Sequence, residues 1–587
     1  MKLEKIAVKN FRNLADCEFH FNEVINFVVG RNNIGKSNLL VLFDKIFKYN
    51  RFQENDYNNL QESIKIELNI KLEENEFGIF EDLFTPENNS LIKLLIEQQD
   101  PFSEIEVSHV ESGTSMPSKS LKYINYILYD SIRDPKKTND FNNKSSSYNI
   151  IPLMVDNFYQ NNDQINLFSS TEQVEELLEY LNNNLKKIKT IKMEDIELLI
   201  QNDNQLESVK RLMFLGDGNS TPIDKLGSGI QYANIIPFNV ISDIIKHSRY
   251  KKTFPKMVKY DSENKKYIEY VMGLDEPEIH LHPHLQRNLM NYLISIFSGE
   301  NEEINSLLKE LLDIDYLKGQ IVVATHSPNI ILDDYKTVTR MFHSNNELTV
   351  KSGEAIDFEK DNEKKFLYKF MPFIKNGFFS KVIILVEGDS ELLALQEFSG
   401  KMNVDLNLNE IEVVSADGKG SIPTLSELFR KFGVKTVALF DRDQTNNENT
   451  NYNHLPDSFF TEQEEFEDEI ISTMSGFEYL SFVLELGSAH KKGLFTEIDL
   501  KSDKLKCIQE QSRNLDDFVT KVIDFYSSKE LLDDDLDKLL EDNIDNFTKL
   551  AKKQKSVITG QLLAYHVDEV PRVFRSVIKK AVELSNE

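Results

Sequence analysis

Three short stretches of this 587-residue chain carry the residue types that phosphate chemistry requires. The first is Gly30-Arg31-Asn32-Asn33-Ile34-Gly35-Lys36-Ser37, a G-x-x-x-x-G-K-S pattern. Backbone N–H groups of such a loop cradle phosphates, its lysine reaches the β- and γ-phosphates, and its hydroxyl sits on Mg²⁺. The second is Asp275-Glu276, which closes an apolar run over residues 270–274. There Asp275 would hold the metal or its water, and Glu276 would orient an attacking water. The third is the set Glu387, Asp441 and Asp443, which follow the apolar runs 382–386 and 437–440. Three clustered carboxylates repel one another unless a cation lies between them, and an all-oxygen donor set suits Mg²⁺ or Mn²⁺.

Each stretch needs a strand to deliver it. The run 24–29 reads as a strand before the glycine loop, and 38–43 as the helix after it, so the helix dipole would favour negative charge in the loop. Residues 320–324 read as another buried strand, ending in Thr325-His326-Ser327-Pro328. Residues 226–231 read as a glycine-serine turn that opens a helix. Residues 64–72 alternate strictly, which predicts a half-buried antiparallel strand. Residues 135–150 are rich in Lys, Asn and Ser and read as a loop. Ser170-Thr171-Glu172-Gln173 has the form of a capping box. The patterns at 174–181 and 193–213 then predict a helical insert over about residues 165–215. Two strands are expected around an Asn345-Asn346 turn, and the charged segment 357–365 marks a linker. Beyond it, two parallel strands would set Glu387, Asp441 and Asp443 at one sheet edge, where open α/β sheets bind ligands. Helices are expected at 392–398 and 557–565, with a strand, tight turn and helix start over 413–421.

The bulk numbers narrow the choice. The length suits two to four domains, and 40% hydrophobic with 28% charged residues is an ordinary globular balance. Two cysteines, Cys17 and Cys507, argue against a disulfide scaffold or a cysteine-based zinc site and fit a reducing cytosol. No apolar run reaches 18 residues, so no membrane span is expected, and the first residues lack the apolar core of a signal peptide. A cytoplasmic location is the expectation. The net charge of −29 argues against a generally basic nucleic-acid surface. Any such contact must come from a local groove or depend on divalent metal that offsets carboxylates.

The order of the loop, the 226–231 turn, Asp275-Glu276 and the Thr-His-Ser turn resembles the ATP-binding-cassette ATPases, in the branch that includes the RecF and SMC proteins. The run from Glu276 to Pro283 looks like that branch too. The resemblance implies that Asn32, Asn33, Gly35, Lys36, Ser37, Asn38 and Asp275 bind ATP with its Mg²⁺. It implies that Ser228 and Gly229 close on the γ-phosphate held by another subunit, and that His326 senses that phosphate. Gly227 stands where the family has serine, so Ser228 would supply the hydroxyl. Gln53 and Gln61 are candidates for the family's glutamine. In the second half, Glu387-Gly388 with Asp441-x-Asp443 resembles the Toprim domain of topoisomerases, primases and nucleases.

An ATPase of this type followed by Toprim is the arrangement of the OLD family, which includes the Gabija nuclease and some retron effectors. The implied fold is α/β. It comprises an ABC-type ATPase domain (1–356) with the helical insert, a linker (357–377), and a Rossmann-like Toprim domain (378–587) with a helical C-terminal elaboration. The family uses two metals, one to activate water and one to stabilise the leaving oxygen. The second carboxylate group would come from Glu464-Glu465-Phe466-Glu467-Asp468, with Glu391 contributing; Glu465 and Glu467 are not separable by sequence. Of Lys552, Lys553 and Lys555, Lys555 is preferred to steady the transition-state charge. Tyr452, Tyr479, Tyr526 and Tyr565 sit in no topoisomerase-like motif. The implied function is an ATP-regulated, metal-dependent DNA endonuclease of anti-phage defence, acting as a homodimer or higher oligomer joined through the ATPase domain. A UvrD-type helicase, or a reverse transcriptase with its RNA and DNA, is the implied kind of partner. The rival readings are a repair or maintenance ATPase with an inactive Toprim domain, and a nucleotide-sensing scaffold.

Overall fold

The structure is a computed structural model. It describes residues 1–48, 50–77, 80, 90–130, 171–188, 197–200, 213–216, 257–442, 455–475, 503–513, 515–527 and 557–587, with a few single residues or short pieces within 154–158, 237–248 and 478–482. The chain divides into two compact units, Met1–Glu359 and Lys360–Glu587.

The first unit opens with β1 (Lys2–Phe11), β2 (Leu14–His20), β3 (Ile25–Gly30) and α1 (Lys36–Lys48). It continues with β4 (Ile64–Lys71), β5 (Leu91–Gln98), β6 (Glu106–His109), β7 (Ser115–Met116) and β8 (Tyr126–Tyr129). After α2 (Thr171–Lys187) come β9 (Glu197–Ile200), β10 (Met213–Gly216), β11 (Lys259–Tyr260) and β12 (Lys266–Asp275). The unit closes with α3 (Pro283–Phe297), α4 (Glu302–Leu312), β13 (Tyr316–Ala324), β14 (Val338–Ser344) and β15 (Glu347–Ser352).

Two sheets sandwich α1. One is antiparallel, in the order β2-β1-β4-β5-β6-β7. The alternating segment 64–72 is its β4, paired antiparallel on both sides. The other runs β11-β12-β13-β3-β14-β15, with β8 on β12. Its middle strands β8, β12, β13, β3 and β14 are parallel. They therefore read as near-continuous apolar runs, since both faces are covered. Leu39, Leu40, Leu42, Phe43, Ile46 and Phe47 of α1 pack into one core with β1, β4 and β5. The β14–β15 turn uses Asn345 (φ 52°) and Asn346 (φ 66°), the left-handed pair that a two-residue hairpin turn favours.

The insert differs from expectation. The helix over Thr171–Lys187 is present, but 193–213 does not form one helix: β9 and β10 pair antiparallel, with Met213 opposite Ile200. A short apolar run such as Glu-Leu-Leu-Ile fits either period, and pairing across the sheet decided it. Ser170 and the 135–150 stretch lie outside the described residues. The segment read as a linker, 357–377, is mostly helix: α5 spans Asp361–Ile374 and belongs to the second unit.

The second unit continues with β16 (Val382–Val386), α6 (Asp389–Lys401), β17 (Ile411–Ser415), α7 (Ile422–Lys431), β18 (Lys435–Phe440), β19 (Ser458–Phe460) and α8 (Phe466–Ile471). Among the described residues, the helices α9 (Asp503–Glu510), α10 (Leu515–Ser527), α11 (Val557–His566) and α12 (Arg572–Asn586) follow. The sheet is wholly parallel, in the order β17-β16-β18-β19. Its buried strands share a core with α6, α8, α11 and α12. Lys401 at the end of α6 donates to the carbonyls of Tyr565 and Val567, a cation on the last turn of α11. Among the described residues no helix is long and apolar enough to cross a membrane.

Candidate functional site

The glycine loop lies between β3 and α1, at the carboxyl edge of the parallel sheet. Asn33 is left-handed (φ 61°) and Gly35 has φ 107°, where a Cβ would also lie 2.5 Å from Asn13 Oδ1. The positive φ is what favours glycine at position 35. Lys36 is buried, and its Nζ donates to the carbonyls of Gly30 (3.0 Å) and Arg31 (2.9 Å). Burial pulls its pKa down to about 8, against the opposing pull of Glu276, Asp275 and Glu278. Ser37 Oγ donates to Asp275 Oδ1 at 2.8 Å. The hydroxyl and carboxylate expected around Mg²⁺ are therefore side by side, although they are 238 residues apart in the chain.

Strand β12 delivers Asp275, and the chain then turns sharply: Glu276 is left-handed, with φ 44°. Its amide donates to the Ala324 carbonyl at the end of β13 (2.9 Å). Glu276 Oε1 stands 3.3 Å from His326 Nε2, and His326 Nδ1 is 3.5 Å from Lys36 Nζ. Burial first, and then the Lys36 charge, lower the His326 pKa, with Asp275 opposing. The imidazole is therefore held toward its neutral form. Lys36, Ser37, Asp275, Glu276 and His326 form one cluster at three strand ends.

A brace behind the loop was not legible in the sequence. Arg12, in the β1–β2 turn, donates to Asn38 Oδ1 (2.8 Å) and to the buried Asp56 (3.1 and 3.0 Å). Lys45 of α1 and the Gln53 amide also bind Asp56. Asn13 joins the Ile34 carbonyl (2.7 Å) to Asn38 (2.7 Å). Gln53 thus precedes a helical turn at Glu54–Asp56, and Gln61 is exposed. Asn32 is exposed in the loop.

In the second unit, Glu387 and Asp441 follow the neighbouring parallel strands β16 and β18. The Asp441 amide donates to Glu387 Oε1 at 2.9 Å. The turn Asp417-Gly418 (φ 54° and 112°) returns to the same edge, with the Gly418 amide on the Glu387 carbonyl (2.8 Å). Glu391, in the first turn of α6, is buried, and its Oε2 lies 3.1 Å from where a Gly388 Cβ would be. Thr461 Oγ1 accepts from the Arg442 amide (2.9 Å) and donates to the Gln463 carbonyl (2.8 Å). This ties the end of β18 to the acidic segment. There Glu465 stands at the N-cap position of α8 with no side-chain capping bond, Glu467 is buried, and Glu464 is exposed. Glu469 Oε2 accepts from the amides of Glu462 and Gln463, both at 2.8 Å, and so holds the loop. Thr461 and Glu469 had no sequence signal of their own.

The donor set Glu387, Glu391, Asp441 is all carboxylate and fits a hard divalent cation. Among the described residues no three such groups stand at metal-holding geometry. Asp443, Lys552, Lys553, Lys555, Tyr452, Ser228 and Gly229 lie outside the described residues. Tyr479 is fully buried and Tyr565 exposed.

Comparison with known proteins bears on both units. The AAA ATPase domain family matches residues 1–126 and 114–331. The Toprim domain of proteins like the overcoming lysogenization defect protein matches residues 378–443. The Old nuclease of Escherichia phage P2 is 21% identical over 498 residues, which span 76% of this chain and 78% of that protein. Among solved structures, an SMC head bound to the C-terminal winged-helix domain of ScpA is 14% identical, with a TM-score of 0.34, covering 60% of this chain and 97% of that one. The C-terminal region of the Burkholderia pseudomallei OLD protein is 17% identical, with a TM-score of 0.21, covering 35% of this chain and 99% of that one. An ATPase domain that accounts for more than half the chain, joined to an OLD-like Toprim domain, identifies the chain as a member of the OLD-family nucleases.

Proposed function

We propose that the protein is an ATP-regulated, divalent-metal-dependent DNA endonuclease that serves in bacterial anti-phage defence. The observation that carries the nuclease reading is the pairing of Glu387 with Asp441 across adjacent parallel strand ends, through the 2.9 Å bond from the Asp441 amide. Glu387, Glu391 and Asp441, with Asp443, would hold one cation, and Glu465 or Glu467 would contribute to a second. Such cations lower the pKa of the attacking water and offset the charge of the phosphodiester. Lys555 would steady the developing negative charge. No side-chain nucleophile is needed, and the buried Tyr479 is unsuited to be one.

In the ATPase domain, Lys36 and the loop amides would grip the β- and γ-phosphates. Glu276 would orient water, and the neutral His326 beside it would report on the γ-phosphate. Ser228 and Gly229 would complete the site of a second copy, making the ATP-bound state oligomeric. Occupancy can shift such an equilibrium only through different affinities for the two states. We place ATP as the restraint on cleavage, released when nucleotide is depleted. Two measurements test this. Glu387→Ala and Asp441→Ala should abolish plasmid cleavage in Mg²⁺ or Mn²⁺, and undiminished cleavage by either refutes the site. Cleavage measured against ATP at fixed free Mg²⁺ should fall, and a flat response refutes the regulation.

A further inference from the structure

Glu278 is the carboxylate of the post-β12 turn to which the phosphate chemistry gives no task. It is half-buried and has a defined occupation. Its Oε1 accepts from Thr325 Oγ1 at 2.7 Å and from the His326 amide at 2.7 Å. Both donors belong to the turn after β13. Burial pushes the Glu278 carboxyl up, which the His326 amide, the Thr325 hydroxyl and a backbone bond partly offset. Its second oxygen, Oε2, is buried with no hydrogen-bond partner. A second tie runs in parallel. Gln286 of α3 donates to the Leu281 carbonyl (2.9 Å) and accepts from Ser327 Oγ (2.6 Å). The turn after β12 and the turn after β13 are therefore fastened at two points, one on each side of His326.

We propose that Glu278 is a positioning residue for ATP hydrolysis: it fixes the backbone of His326, and so holds the imidazole 3.3 Å from Glu276. The proposal rests on the ATPase reading given above. His326 projects from a turn, and a turn has no ladder of backbone bonds to hold it. A single oxygen takes both donors, so acceptor geometry, not charge, does the positioning. Without it the His326 amide and the Thr325 hydroxyl would lose their acceptor, and the turn would move to pair them.

The test compares Glu278→Ala, Glu278→Gln and the wild type for ATP turnover, for affinity toward a fluorescent ATP analogue and for melting temperature. A displacement of about 1 Å in a catalytic group costs about 10²-fold in rate. Glu278→Ala is thus expected to lower kcat by about one to two orders of magnitude, with nucleotide affinity changed less than about threefold. Glu278→Gln keeps an oxygen for both donors and should recover most of the turnover. It should also melt lower, because it buries an amide NH₂ where Oε2 has no partner. If Glu278→Ala does not fold, Thr325→Val removes one of the two donors, together with the acceptor of the Ser327 amide (3.0 Å), at nearly constant shape and should lower kcat in the same sense. Wild-type kcat in Glu278→Ala or Thr325→Val overturns the proposal, as do equal losses in Glu278→Ala and Glu278→Gln, or a loss carried wholly by affinity. A wild-type protein that turns over no ATP overturns the ATPase reading itself, and the proposal with it.

Discussion

Gly560→Ala should cripple the nuclease while leaving the fold and the ATPase domain nearly untouched. Gly560 lies in α11, where that helix crosses the first turn of α6. A Cβ there would meet the Ser390 carbonyl oxygen at 2.5 Å and Ser390 Cα at 2.8 Å. Ordinary contact begins near 3.4 Å, so the helices must separate by 3.4 − 2.5, about 0.9 Å. The obstacle is backbone, so no rotamer change relieves it. Ser390 sits between Gly388 and Glu391, and its turn begins two residues after Glu387. A shift of about 1 Å at a catalytic group costs about 10²-fold, which gives a loss of about 10- to 100-fold in cleavage. Stability should change little: overpacking costs about 1–3 kcal/mol, and removing a helical glycine returns about 0.8–1 kcal/mol. The net is about 0–2 kcal/mol. Plasmid cleavage, ATP turnover and a thermal melt on the same preparation decide it. Wild-type cleavage by Gly560→Ala would refute the close crossing as the support of the carboxylate edge. A loss of cleavage matched by collapse of the melt would refute the claim that the effect is local.

Three further outcomes are expected. Glu276→Gln should bind ATP but hydrolyse it at least about 10²-fold more slowly, the usual contribution of a positioned base, as a phosphate-release assay would record. Asp56→Ala should destabilise the first unit by about 2–3 kcal/mol in denaturant titration. Breaking a buried pair costs about 3–5 kcal/mol, and the partial exposure of Arg12 and Lys45 discounts it. Burial raises the Asp56 carboxyl, but bonds from Lys45, the Gln53 amide and Arg12 outweigh it, so its pKa is lowered. That contribution is present above the carboxyl's unfolded pKa and lost as pH falls through the folded value, so the gap between variant and wild type should close in acid. Of the two thiols, burial pushes Cys17 up to about 11 while Cys507 is exposed. A maleimide at pH 7.5 should label Cys507 quickly and Cys17 only after unfolding, as mass spectrometry of the labelled peptides would show.

What could be read from the chain was whatever its local chemistry dictates. A glycine loop between an apolar run and a helix has one structural meaning, so Lys36 and Ser37 were legible. Fully apolar runs ending in carboxylates belong to buried parallel strands, which placed Asp275, Glu387 and Asp441 at strand ends. Strict alternation identified β4, and Asn345-Asn346 the β14–β15 hairpin. The misread elements were those whose fate depends on partners. Residues 197–200 are equally apolar as helix or strand, and pairing with 213–216 decided between them. The segment expected as a linker, 357–377, was marked by its charged residues 357–365; it contains the helix 361–374, whose Leu367, Phe370, Met371 and Ile374 fall on one face and are buried. The working geometry belongs wholly to the tertiary structure. Asp56, Thr461, Glu469 and Gly560 are unremarkable types at unremarkable spacings, and Glu278 stood out only as part of the run from Glu276 to Pro283. Each acquires its task only when the folded chain brings a specific amide, hydroxyl or backbone within hydrogen-bond or van der Waals reach. Local sequence carries residue type and period, whereas those distances depend on the packing of the whole domain.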